Sequence, residues 1–185
     1  MDTFVEQIVA KKKDGKEIAI IVGVVLAFVV VVVATFLFLG MLAPILWMAA
    51  GYGAWWLITN QNIEFEYSVT NGDMDIDQII ARRKRKRIVS VGGQKIESAG
   101  KYVAEKWVGR HVDRFVMAAP SLKEDGLYYF TYHSKKRGQT LVVFQPDERV
   151  LGAFYDGLPK LIRMDTARAA REAGIALPKR QTEED

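Results

Sequence analysis

The sequence predicts an α+β protein in which a transmembrane helical hairpin precedes a small antiparallel β-sheet, or partly open barrel, closed by a C-terminal amphipathic helix. The first observation is a stretch of 46 residues, Ile18 to Ile63, that contains no charged side chain. The second is a two-fold alternation of apolar and polar residues directly after it, and the third is an apolar stripe with helical spacing near residue 150. A chain of 185 residues has room for the hairpin and one small domain.

The charge-free stretch is long enough to cross a bilayer twice, because a hydrocarbon core of about 30 Å requires ~20 apolar residues in a helix. We expect crossings at about residues 18–39 and 42–59, within a hairpin of residues 17–60. Gly40 and Pro44 mark the join, and Pro44 suits the first turn of a new helix, where its missing N–H is not needed.

The flanking residues indicate an orientation for the hairpin. Lysines precede the first crossing and the turn between crossings is uncharged, so the positive-inside rule predicts a two-pass cell-membrane protein with both termini cytoplasmic. Aromatic residues near the end of the second crossing suit a membrane interface, and small residues beside them allow close helix packing. The predicted interface anchors are Lys11, Lys12, Lys13, Lys16, Tyr52, Trp55 and Trp56, and the predicted packing residues are Ala50, Gly51, Gly53 and Ala54.

Residues 1–16 are predicted to form a cytoplasmic amphipathic segment. Thr3 and Glu6 have the spacing of a capping box, which favours a short helix. The residues on its apolar face are Phe4, Val5, Ile8 and Val9. Such a helix could lie in the headgroup layer or extend the first crossing, and the sequence leaves both alternatives open.

Residues 62–163 are predicted to form one cytoplasmic domain. Ile63 to Thr70 alternate as in a strand with one buried face, and Asn71-Gly72 suits a tight turn into a returning strand. Further strands are expected at 86–91, 114–119, 127–133 and 140–144, whereas 95–108 fits either a short helix or an irregular strand.

One amphipathic helix is expected to close this domain. It begins near Pro146 and ends near Pro159. Its apolar stripe consists of Val150, Leu151, Phe154, Tyr155 and Leu158. Residues 164–185 are predicted to be a polar tail, partly helical and disordered from Pro178.

Two stretches resemble the bacterial pleckstrin-homology-like (PH-like) domains of small membrane proteins. They read EFEYSVTNGDMDIDQIIARRKRKR at 64–87 and LVVFQPDERVLGAF at 141–154. Over residues 1–163 the chain also resembles an uncharacterised family of small membrane proteins from Gram-positive, Clostridia-like bacteria. The resemblance implies a role in assembly or envelope sensing rather than catalysis. Phosphoinositide-binding members of the eukaryotic superfamily carry basic residues on the first β-hairpin, whereas the turn here is Thr-Asn-Gly-Asp, which argues against such a site in that loop.

A run of six cations is the strongest local signal in the soluble part. Its members are Arg82, Arg83, Lys84, Arg85, Lys86 and Arg87. The first strand leaves the membrane at Ile63 and the second returns, so we expect this run at the membrane-proximal edge. Each cation near an anionic surface contributes about 1 kcal/mol. Three interpretations remain: a solvated turn that reinforces the topology, contact with anionic lipid, or contact with an acidic partner.

The sequence predicts a non-enzymatic protein. It has no cysteine and two histidines, and it shows no nucleophile elbow, metal-ligand spacing or phosphate-binding loop, so no catalytic, metal or cofactor residue is predicted. A net charge of +4 is too mild for a dedicated nucleic-acid binder. We expect an interaction domain held at the inner leaflet for anionic-lipid or protein binding, with membrane lipids and a protein partner or second copy as partners. The alternative is an accessory subunit of a transport or secretion assembly that packs through its hairpin.

Overall fold

The computed structural model describes residues 4–172, and the side chains within that range except those of residues 167 and 169–172. The described chain contains eight strands and four α-helices. In chain order they are β1 (Phe4–Ala10), α1 (Gly15–Leu39), α2 (Ala43–Thr59), β2 (Ile63–Thr70), β3 (Asp73–Ile80), β4 (Lys84–Val91), β5 (Ile96–Lys101), β6 (Arg114–Ala118), β7 (Tyr128–Ser134), β8 (Gly138–Phe144), α3 (Glu148–Gly157) and α4 (Lys160–Glu172).

The strands form two four-stranded sheets. The first has the order β1-β2-β3-β4 and is antiparallel throughout. The second has the order β5-β7-β8-β6, and its β6 runs parallel to β8. The sequence predicts antiparallel pairing only. The parallel pair arises because the connection of residues 119–127 crosses the position of β8, so that β6 and β7 lie on opposite sides of β8.

The main core lies between the two sheets and α3. Alternate residues of β2 and β3 point into it, with Tyr67 and Met74 fully buried. Phe154 of α3 packs against Phe130 and Phe144, with ring centroids 5.4 Å from each. Asp147 caps α3, since its Oδ1 accepts the Val150 N–H at 2.8 Å. This helix therefore covers the inner face of the first sheet, packing against β1, β2 and β3.

The N-terminal segment is a strand and not the predicted helix. Phe4–Ala10 pairs antiparallel with β2, and its residues alternate between exposed and half-buried. Val5 and Val9 pack against the main core, whereas Ile8 is 56% exposed on the opposite face. Val5 and Val9 are four residues apart, a spacing that places them on one face in a helix and in a strand alike. This spacing therefore does not distinguish the two, and the pairing with β2 determines that the segment is a strand.

Along the chain, α1 and α2 connect β1 to β2, which are neighbouring strands of the first sheet. The two helices pack side by side. Between them the Trp47 indole N–H donates to Thr35 Oγ1 at 2.8 Å, and Gly51 faces the Phe28 ring. With the short 3-10 turn Gly40–Leu42 they make up one continuous segment, Gly15–Thr59, whose most apolar 18-residue window has a mean hydropathy of 3.2. Within residues 4–172 this is a single candidate membrane span by length and composition, where the sequence predicts two.

Two further segments are defined by the structure. The ambiguous residues 95–108 contain β5 and a 3-10 turn, Ala104–Trp107. The helix α4 continues past residue 163 and packs on β5 through the buried Thr166, whose hydroxyl donates to the Ala99 carbonyl at 2.9 Å. The predicted disorder from Pro178 lies outside the described residues.

The alternation of β1 leads to a stability prediction. Val9→Asn should reduce the free energy of unfolding by about 1–2 kcal/mol, because it places an amide against the core. Ile8→Asn, on the exposed face, should change it by less than about 0.5 kcal/mol. Thermal unfolding of the full chain in detergent measures both. Equal losses would indicate that the two residues share one face, as in a helix.

Candidate functional site

A β-bulge in β4 divides the basic run between two faces of the first sheet. Ile76 lies opposite Val89 but Asp77 lies opposite Arg87, so Ile88 is an extra residue. Side chains directly opposite in an antiparallel pair share a face. The bulge therefore turns Arg87 toward the acidic outer face of the sheet, which is the face away from the core.

The arginines of β4 are paired with carboxylates on this outer face. Arg87 donates from Nε to Asp77 Oδ1 at 2.8 Å and from a terminal nitrogen to Asp77 Oδ2 at 3.2 Å, and it also lies 2.9 Å from Asp75 Oδ2. Arg85 forms an ion pair with Glu66. These internal contacts use charges for which the sequence leaves three interpretations open: a solvated turn, contact with anionic lipid, or contact with an acidic partner.

Glu66 is a buried acid at the centre of the outer face. It is 4% exposed and has Glu6 and Asp77 as acidic neighbours. Burial, followed by the hydrogen bond and negative charge of Glu6, raises the pKa of Glu66 to about 7, although Arg85 opposes the shift. This carboxyl group therefore changes its protonation near neutral pH.

The turn that opens the basic run is attached to the end of α2. Arg83 donates to Thr59 Oγ1 and Asn60 Oδ1, both at 3.1 Å, and its guanidinium lies 5.3 Å from the Trp55 ring centroid. The Ala81 N–H donates to the Asn62 carbonyl at 2.8 Å. Arg82 pairs with Glu64 at 3.0 Å. The start of the run thus lies at the base of the helical hairpin.

The two lysines of the run lie on the other face of β4. Lys86 lies opposite Gln78 and Lys84 opposite Ile80. Both are exposed, and neither has a carboxylate within ion-pair distance among the described side chains. The six predicted contact residues therefore do not form one surface: the lysines are free, and all four arginines have internal partners.

A cavity of about 350 Å³ lies between β6 and the inner face of the first sheet, and its lining includes Gln78, the residue opposite Lys86. Its apolar lining is Ile63, Phe65, Ile88, Phe115, Val116 and Met117, and its polar lining is Lys11, Gln78 and Arg114. A terminal nitrogen of Arg114 donates to the Ile88 carbonyl at 3.3 Å. Sequence reasoning missed this site, because a single arginine at the start of a strand carries no local signal.

The four lysines around the start of α1 occupy different surroundings. Lys11 is paired with Glu17, and Lys12 lies 2.7 Å from Glu124. Lys13 and Lys16 are exposed. The structure therefore leaves two of these four predicted anchors free of carboxylates within the described part of the chain.

The aromatic and small residues predicted on α2 lie along the hairpin. Tyr52, Trp55 and Trp56 are exposed, and Tyr52 and Trp55 contact each other with ring centroids 5.8 Å apart. The small residues are half-buried: Ala50, Gly51, Gly53 and Ala54. A Cβ added at Gly51 would lie 3.7 Å from the Phe28 ring of α1, whereas no atom would lie within 4 Å of a Cβ added at Gly53.

The turn between β2 and β3, at the end of the first sheet far from the helices, is covered by backbone packing. Gly72, at φ +85°, lies so near Gly157 that an added Cβ would be 2.5 Å from the Gly157 Cα. Only glycine fits at such a backbone crossing. The Asn71-Gly72 turn is thus held against the end of α3, away from the helical hairpin.

The arrangement of two sheets and a packed helix agrees with a comparison to protein families. The family described as "Bacterial PH-like domain (DUF6106)" matches residues 1–164. The chain belongs to this family. No curated protein and no solved structure matches the chain. The family supports the PH-like domain expected from the sequence.

The arginine pairing leads to a second stability prediction. Arg87→Gln should lower the free energy of unfolding by about 1–3 kcal/mol, because Asp77, with a side chain only 9% exposed, loses its guanidinium partner. Lys86→Gln, one residue away, should change it by less than about 0.5 kcal/mol. Urea unfolding of the full chain in detergent provides the comparison. An equal loss for Lys86→Gln would show that the lysine is also paired.

Glu66 leads to a pH prediction. Its folded-state pKa of about 7 exceeds the ordinary 4.5, so the folded state binds more protons between these values and stability falls as pH rises through this window. Glu66→Gln should remove that loss. The melting temperature of Glu66→Gln minus that of the wild type should therefore increase between pH 5 and pH 8. The increase should be roughly 2–4 °C for each kcal/mol of unfolding free energy that the wild type loses.

The matched control is Glu64→Gln, on the same strand and face, where Glu64 pairs with Arg82. Its melting temperature relative to the wild type should not rise over the same pH range. If the wild-type and Glu66→Gln melting curves shift in parallel with pH, Glu66 is not the group responsible.

Proposed function

We propose that this protein is a non-enzymatic membrane protein whose helical hairpin crosses the bilayer twice and holds a PH-like interaction domain at the cytoplasmic surface. The domain would bind anionic lipid or a protein partner there. The observation that carries this proposal is the pairing of β1 with β2, the two strands on either side of the apolar segment.

This pairing limits how the apolar segment can meet a membrane. Ala10 lies opposite Glu64, and the Lys11 N–H donates to the Ile63 carbonyl at 2.9 Å. Both ends of the segment are therefore on one side of any bilayer that it enters. A segment that crosses and returns to the same side crosses an even number of times, which supports two crossings within one apolar stretch.

The surface of the segment supports a lipid environment. None of its most apolar window is buried, and side chains such as Phe38, Met41 and Met48 are 83%, 97% and 71% exposed. An apolar surface of this extent in water is strongly unfavourable. At 25 and 17 residues, α1 and α2 would extend about 37 and 25 Å, near the thickness of the hydrocarbon core.

The cations at the base support a cytoplasmic domain. Lys13 precedes α1, Lys16 lies in its first turn, and Arg83, which Lys84 follows, contacts the end of α2, whereas the Gly40–Leu42 turn has no charge. Lysine and arginine are enriched in cytoplasmic flanks. The stacking of Arg83 on Trp55 combines a cation with an aromatic ring, a pairing suited to the headgroup layer.

Single-cysteine labelling tests this topology, because the natural chain contains no cysteine. Met41→Cys lies in the turn between the helices, and Lys136→Cys lies in the exposed turn between β7 and β8. A membrane-impermeant maleimide added to intact spheroplasts should label Met41→Cys and leave Lys136→Cys unlabelled until the membrane is lysed.

Labelling in detergent, where both cysteines should react, is the control for accessibility. Labelling of both variants in intact spheroplasts, or of neither, would contradict a spanning hairpin. Labelling of Lys136→Cys alone would show the reverse orientation and overturn the cytoplasmic placement.

A further inference from the structure

The cavity beside β6 opens at the base of the helical hairpin. Two of its lining residues, Lys11 and Ile63, are joined by a backbone hydrogen bond and lie close to the start of α1 and the end of α2. A bilayer containing these helices would place its headgroups at this level. The cavity would therefore face the membrane surface.

The walls of the cavity are mainly apolar. Ile63, Phe65 and Ile88 come from the first sheet, and Phe115, which is 44% exposed, comes from β6. Its volume of about 350 Å³ lies within the range of small-ligand pockets. Such walls suit the glycerol and first methylene groups of a lipid better than a hydrated ion.

Arg114 gives the cavity an uncompensated positive charge. Its hydrogen bond goes to a neutral carbonyl, and within the described side chains no carboxylate lies at ion-pair distance from it. This differs from Arg82, Arg85 and Arg87, which all have carboxylate partners. A half-buried guanidinium without a counter-ion favours an anionic ligand, and its fork of donors matches a phosphate.

The free lysines of the basic run lie on the same side. Gln78 lines the cavity, Lys86 lies directly opposite it, and Lys84 lies one pair further along the same face. The bulge at Ile88 thus directs the arginines to the acidic outer face and the lysines to the cavity side. Arg114 is therefore the cation within the cavity, and Lys86 and Lys84 add positive charge on the strand face that continues from it.

We propose that this cleft between β4 and β6 binds the headgroup of an anionic phospholipid, with Arg114 holding the phosphate and Lys84 and Lys86 contributing at the opening. The assignment extends the proposed function, since it relies on the hairpin to place the cleft at the headgroups, and it specifies one binding site in place of the whole basic run. Charge, apolar walls and position all favour a lipid over a soluble anion.

The test uses the purified full chain in an uncharged detergent. Binding of dihexanoyl phosphatidylglycerol, dihexanoyl phosphatidylcholine and glycerol 3-phosphate is measured by isothermal titration calorimetry. The phosphatidylglycerol should bind the wild type most tightly. Arg114→Gln should weaken its binding by about tenfold or more, and Arg114→Lys by less, because a charge remains but the fork of donors is lost.

Matched variants separate the cleft from general charge effects. Lys84→Gln/Lys86→Gln should weaken phosphatidylglycerol binding, and Lys135→Gln/Lys136→Gln, the same charge change on the β7–β8 turn, should not. Melting temperatures without lipid verify folding. If Arg114→Gln does not fold, the exposed lysine pair still decides the result.

Three results would overturn the proposal. Binding unchanged in both Arg114→Gln and the Lys84/Lys86 variant would remove the cleft from the interaction. Equal affinity for phosphatidylcholine would remove the requirement for anionic lipid, and equal affinity for glycerol 3-phosphate would indicate a soluble anion. The calorimetry is done in detergent and does not depend on membrane topology. A negative result in the cysteine-labelling experiment therefore rejects the two crossings, whereas a negative result in calorimetry rejects the lipid site.

Discussion

The backbone pairing of β1 with β2 is the constraint on which the rest of the structure depends. It joins residues on either side of a 45-residue apolar segment, so the two ends of that segment must lie together. The same pairing brings Lys11 beside Ile63 and, through β3, places the turn at Ala81 against the end of α2. The sheet and the helical hairpin therefore share one base, and the charges of β4 are positioned relative to the helices without a flexible linker.

Within this frame, one inserted residue decides how the positive charge of β4 is distributed. Without the bulge at Ile88, continued alternation would put Arg87 opposite Gln78 on the cavity side and the lysines on the acidic face. With it, arginine, which can bind a carboxylate through two nitrogens, faces Asp77 and Glu66, and lysine remains free. A feature of sheet geometry thus separates charges used for stability from charges available to a ligand.

The sequence predicts much of this fold, and its failures have identifiable causes. The strands β2 and β3 and the turn between them follow from two-fold alternation and Asn71-Gly72, which are local signals. The strand β1 was predicted as a helix because its partner is more than 50 residues away in the chain. The bulge, the parallel pairing of β6 and Arg114 in the cavity all depend on contacts between distant segments, so the basic run was visible as a patch but its division was not.

The two ends of the first sheet differ in a way that bears on where a ligand can enter. At the far end, the Gly72 and Gly157 backbones touch, and Gly93 adds a third close approach, so the turn between β2 and β3 is covered by the end of α3. At the base, β4 and β6 are separated by a cavity, and the charge there is positive. The domain is thus closed where it faces away from the helices and open where they emerge, which is the arrangement expected for the proposed function, in which a ligand would reach the domain from the side of the helices.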